Sequence, residues 1–173
     1  MDSNAPDLAQ LVYDRSEIAD TMHRFAFGLD HGDADTLASA LAEDCRLDFT
    51  AAGRKLGIDF PVLNGRDPVV KTLIAMLGPL DTSREQSPDR SERRHGHSAW
   101  LSDGANFMPG HGPRQGTEYA LLMNRYDADL VRDGQRWRFK RVLIDNAWAE
   151  GDPGIITALA THRVVRGKAK QRH

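Results

Sequence analysis

The sequence predicts an α+β fold: a cone-shaped α+β barrel in which a curved antiparallel sheet wraps around a long N-terminal helix. Three observations predict it. Helical periodicity is confined to the first half of the chain, and strand-like alternation dominates the second half. The apolar parity of the last strand also shifts between Phe139 and Val142, as a bulge near Lys140 or Arg141 would make it, and bulges bend sheets.

The first helix is the clearest element. Asp14 followed by Glu17 resembles a capping box, and Ile18, Met22, Phe25 and Leu29 then recur at the spacing of one buried face. Ala19, Ala26 and Asp30 form a second stripe on its border, since residues eleven apart at 100° per residue differ by about 20°. Asp30 can therefore look inward from the helix end. A short second helix is expected from Asp33 or Asp35 through Leu37 and Leu41, and Arg46–Thr50 alternates like a strand. Asn64-Gly65 turns the chain, Asp67-Pro68 supplies an N-cap and a first-turn proline for a third helix, and Gly78-Pro79 stops it. Asp81 to Glu92 is polar and aperiodic, which predicts a surface loop.

Sheet follows. From 94 to 101, His95, His97, Ala99 and Leu101 share one face and Gly96, Ser98 and Trp100 the other. Asn106 to Gly116 is rich in Gly and Pro and predicts a loop. Glu118 to Val131 predicts a long strand, which Asp133-Gly134 joins as a hairpin to the strand beginning at Arg136.

A chain of 173 residues, 40% hydrophobic, can bury one core of its own and is too short for two full domains. The domain is placed at 10–160, after a flexible stretch of residues 1–9 and before a basic tail at 161–173. A net charge of −2 argues against a nucleic-acid partner, and no apolar run approaches membrane-spanning length. The single cysteine, Cys45, excludes an internal disulfide and a cysteine-built zinc site; a cytoplasmic protein is expected.

In order and spacing, several segments together resemble the nuclear transport factor 2-like (NTF2-like) superfamily and, within it, the SnoaL-like group. They are Asp14–Asp20, Gly28–Asp33, Leu47-Asp48-Phe49, Asn64–Asp67, Arg125–Gly134 and the stretch from Arg136 through Trp148 to Asp152. The resemblance spans roughly residues 10 to 155. It implies proton transfer without a cofactor, as in dehydratases, dehydrochlorinases, ketosteroid isomerases and polyketide cyclases. It also places Asp30 at the helix-end aspartate of scytalone and bile-acid dehydratases. A histidine at the start of the third strand acts with that acid in such relatives, and here the position is assigned to His95, or to His97 on the same face.

Such chemistry needs a base to take a carbon-bound proton and an acid to assist the leaving group, which one His and one Asp can supply. Phe25, Tyr119, Asn124 and Asn146 are expected to contact a mostly apolar cyclic substrate such as a steroid, terpenoid, polyketide or aromatic compound. A homodimer is expected, because the outer face of the sheet needs cover. Two other classes compete. The His95-Gly96-His97 pair could ligate a metal, but Glu92 and Glu118 are poorly spaced for a third ligand, so no metal is expected. A non-catalytic binding or subunit-assembly module, including the small subunit of ring-hydroxylating dioxygenases, shares the fold.

Overall fold

The computed structural model describes residues 8–87, 96–108 and 118–157, with residues 81–87 as backbone. Helix α1 (Leu8–Asp30) buries Ile18, Met22, Phe25 and Leu29, the stripe that the sequence predicts. It begins earlier than the expected Asp14 start. Asp14 sits inside the helix and accepts hydrogen bonds from Trp137 Nε1 at 3.1 Å and from Arg132, while Tyr13 donates to the Gln135 carbonyl at 3.0 Å. The acid taken for a cap instead ties the helix to the far hairpin.

Helix α2 (Ala34–Ser39) is capped by Asp33, whose Oδ1 accepts from the Asp35 and Thr36 amides at 3.1 and 3.0 Å. It crosses α1 at Gly28, where an added Cβ would lie 2.6 Å from the Leu37 nitrogen. Strand β1 (Leu41–Asp48) starts earlier than its alternation predicted, because Leu41 and Ala42 are both buried. Helix α3 (Thr50–Leu56), which the sequence reading missed, opens where Asp48 Oδ1 accepts from the Thr50 amide at 3.0 Å. After β2 (Leu63–Asn64) comes α4 (Arg66–Leu77), whose N-cap is Gly65 rather than Asp67.

Asp81–Ser87, expected as part of a loop, is strand β3; it pairs antiparallel with β4 (His97–Phe107) from Asp81↔Phe107 to Ser87↔Leu101. Its backbone ladder forms without apolar alternation, as charged edge strands permit. Strand β4 also runs through Asn106 and Phe107, where a loop was predicted. Strands β5 (Tyr119–Asp133) and β6 (Arg136–Gly151) form the predicted hairpin, with Gly134 at φ 63° in its turn.

The six strands are ordered β2-β1-β6-β5-β4-β3. All neighbours are antiparallel except β1 and β6, so the sheet is mixed at one junction. Asp129 pairs with Arg141 and Leu130 with Phe139, which leaves Lys140 as the extra residue of a bulge. The predicted parity shift is therefore real, and Phe139 and Val142 both face the core. A second bulge leaves Ala147 unpaired between Asn146↔Asn124 and Trp148↔Met123. The curved sheet holds α1 in its concavity through an aromatic run. Phe25 meets Phe139 edge-on at 5.6 Å, Phe139 stacks on Trp100 at 5.6 Å, and Trp100 stacks on Tyr126 at 4.8 Å.

Candidate functional site

Beyond that aromatic run the concave face and the helices part. They leave about 640 Å³ of unfilled space, its outer portion continuous with solvent. Phe25 and Leu29 of α1, Leu73 and Leu77 of α4, and Leu122 and Ile144 of the sheet make its wall mostly carbon. The wall's side-chain polar groups come from Asn106, Asn124 and Tyr126. A chiefly apolar cleft with a few fixed polar groups is the usual setting of a small-molecule site.

The polar groups are held by the backbone around them. Asn146 is buried at the Ala147 bulge, where its Nδ2 donates to the carbonyls of Met123 at 3.2 Å and Trp148 at 3.0 Å. The same Nδ2 donates to Asn124 Oδ1 at 3.0 Å. Because carbonyls only accept, this fixes which end of the Asn146 amide points at them, and in turn fixes Asn124. With its oxygen engaged, Asn124 has its Nδ2 donor left for the cavity. Asn106 is 2% exposed, and its Nδ2 donates to the carbonyls of Gly104 and Ala120, both at 3.3 Å.

The structure brings together only part of the predicted site. Phe25 and Asn124 line the cavity, and Asn146 stands one layer behind Asn124. Asp30 ends α1 half-buried, one residue beyond the lining Leu29, and is not itself part of the wall. Tyr119 lies elsewhere: its hydroxyl donates to Glu150 Oε1 at 3.0 Å on the outer side, and that carboxylate pushes the phenol's pKa up. Alternation along β5 places Asn124 and Tyr119 on opposite faces.

His97 is likewise a correction. Ser98, Trp100, Ser102 and Asn106 are the buried residues of β4, so strand alternation turns His97 to the outer face. There its Nδ1 lies 3.1 Å from Asp129 Oδ1 and its Nε2 3.6 Å from Asp127 Oδ2. Arg141 bonds both carboxylates at 2.6 Å, and with His97 it holds the Asp129 carboxyl below its usual range. His95 lies outside the described residues. The strand after α4 is β3, and Asp81–Ser87 contains no histidine.

Asn106 and Tyr126 were missed as site residues. The even-numbered parity of Ser98 and Trp100, continued to Asn106, was the available signal, and the Gly/Pro content that begins nearby obscured it. Among the described residues no group of three or more His, Cys, Asp or Glu side chains could hold a metal ion. Cys45 is buried, and burial pushes its thiol up to about 11. No helix among the described residues is long and apolar enough to cross a membrane.

A family model described as a SnoaL-like domain matches residues 10–142. Among solved structures, the Kfla4162 protein from Kribbella flavida is 19% identical with a TM-score of 0.68, the match covering 87% of this chain and 99% of that one. A candidate scytalone dehydratase from Novosphingobium aromaticivorans is 20% identical with a TM-score of 0.61, over 84% of this chain and 91% of that one. The LinA-type3 hexachlorocyclohexane dehydrochlorinase from Novosphingobium barchaimii is 13% identical with a TM-score of 0.59, over 86% and 96%. At such identities these structures share the fold. No curated protein matches the sequence.

Proposed function

This chain belongs to the SnoaL-like domain family, and from that footing we propose that its cavity takes a mostly apolar cyclic molecule bearing an oxygen and acts on it as a cofactor-independent lyase or isomerase. One observation carries the binding half: a largely carbon wall interrupted by Asn124, whose oxygen is occupied by Asn146 and whose amide donor is thereby left for a ligand oxygen. A donor fixed in advance stabilises charge that develops on a carbonyl oxygen when a neighbouring carbon loses a proton. The chemical half draws support from structures of the same fold that are described as dehydratase and dehydrochlorinase.

Asp30 is the group we assign to proton transfer. It closes α1 next in sequence to the lining Leu29 and is half-buried, and a carboxylate can serve as the base that accepts a carbon-bound proton. His97 has no part in it. A homodimer belongs to the same reading, supported by Trp148, 48% exposed on the sheet's outer face. A cytoplasmic setting draws support from the single buried cysteine.

A panel of cyclic hydroxy-ketones, assayed by mass spectrometry for loss of water or isomerisation, tests the proposal. Wild type should turn over at least one compound, and Asp30→Asn should bind it with similar affinity yet lose about 10²–10⁴-fold in rate. A second reading, a non-catalytic binding module, is favoured by the lack of any carboxylate or imidazole among the lining residues described. Binding without turnover by any compound of the panel would establish that reading instead.

A further inference from the structure

Asn106 contributes to the cavity wall, yet among the described residues its buried side-chain oxygen has no hydrogen-bond partner. Its orientation is not arbitrary. The Nδ2 group meets the carbonyl oxygens of Gly104 and Ala120 at 3.3 Å, and reversing the amide would set oxygen against two oxygens. The acceptor is therefore locked in place without a partner among the described residues, at a position 2% exposed. A buried acceptor without a donor is costly, and native proteins rarely keep one without a use.

The other asparagine of the wall has the opposite polarity. Asn124 has its oxygen engaged by Asn146 and retains a donor. Asn106 has its donor engaged by two carbonyls and retains an acceptor. They stand on adjacent strands four register pairs apart, with Asn106 opposite Ala120 and Asn124 opposite Ser102. Residues at alternate positions share a face, so both asparagines belong to the cavity side of the sheet.

We infer that the ligand of this cavity carries a hydrogen-bond donor, a hydroxyl or an N–H, that meets Asn106 Oδ1, in addition to the oxygen that accepts from Asn124. The inference rests on the cavity being a small-molecule site and narrows its ligands to cyclic molecules with one acceptor and one donor, such as a phenolic or alcoholic ketone. Asn106 is then a specificity-determining residue. A purely hydrocarbon or ketone-only ligand leaves its oxygen unpaired in the complex as in the free protein, whereas a correctly placed hydroxyl pairs it. Sites built to hydrogen-bond a substrate group discriminate strongly against analogues that lack it.

Calorimetric titration of the full chain with 1-tetralone and with its 5-, 6- and 7-hydroxy derivatives provides the test. At least one hydroxy isomer should bind roughly tenfold or more tighter than 1-tetralone. In Asn106→Leu, which removes the acceptor at similar volume, that preference should fall to about twofold or less while 1-tetralone keeps or gains affinity. If 1-tetralone binds wild type and all three hydroxy isomers bind within about threefold of it, the inference is overturned while the cavity stands as a ligand site. If none of the four binds, the inference falls together with the proposed function. The wild-type comparison decides the matter even if the Asn106→Leu protein fails to fold.

Discussion

Asn146 and Asn124, on neighbouring strands, are joined by a 3.0 Å hydrogen bond from the amide of the first to the oxygen of the second. The bond forms where β6 bulges at Ala147, and the same Asn146 amide serves the carbonyls of Met123 and Trp148 there. Sheet curvature and cavity polarity therefore depend on one side chain. Asn146→Leu should destabilise the fold by about 1–3 kcal/mol in urea unfolding, because buried carbonyls lose their donor. In the protein that remains folded, affinity for oxygen-bearing ligands should fall more than affinity for hydrocarbons. Equal losses for both ligand types would show that Asn146 does not orient Asn124.

His97→Ala should leave ligand affinity and turnover within about twofold of wild type, since its ring contacts Asp127 and Asp129 on the outer face. Steady-state kinetics on whichever hydroxy-ketone is turned over would check this. A loss of tenfold or more would place the histidine in the reaction.

Acid should weaken the outer cluster. The Asp129 carboxyl is held below its ordinary value of 3.8 by hydrogen bonds from Arg141 and His97. A depressed folded-state value means that its stabilising effect is present above pH 3.8 and fades as pH falls through the lower folded value. Both carboxylates are nearly half exposed, so the effect is modest. Urea midpoints at pH 5 and pH 3 should differ more for wild type than for Asp129→Asn; identical pH dependence would refute the assignment.

Cys45 should resist a disulfide-exchange reagent at pH 8 in the native protein and react at once in denaturant. It is 2% exposed, and burial pushes its thiol up to about 11, so little thiolate forms. Absorbance of the released thiol is the readout.

Gly28→Ala should destabilise the protein by about 1–3 kcal/mol, because the new methyl meets the α2 backbone at Leu37 rather than a movable side chain. Thermal unfolding measures it. An unchanged midpoint would mean that the two helices separate without cost.

Much of this architecture is legible in the sequence because burial there has a clean period. The α1 stripe, the Gly134 turn and the Lys140 bulge all follow from spacing. β3 was not legible: Asp81–Ser87 is held by backbone pairing with β4 and has no apolar alternation to betray it. Nor could alternation alone say which face of β4 is buried. The inner face carries Ser98, Ser102, Gly104 and Asn106 around the single large apolar Trp100, while the outer face offers Ala99 and Leu101 beside His97. In a cavity-lining strand the rule that the more apolar face is the inner one gives only a weak signal. The pairing of Asn124 with Asn146 depends on a second bulge that leaves no mark in the hydrophobic pattern.

Hydrogen–deuterium exchange at the carbon next to the carbonyl of 1-tetralone, followed by proton NMR in D₂O, tests the central claim most directly. It detects proton transfer without requiring the natural substrate. Wild type should accelerate exchange well above buffer, and Asp30→Asn should abolish the acceleration while still binding the ketone. Wild-type binding of 1-tetralone with exchange no faster than in buffer would contradict the proton-transfer account and leave a binding module.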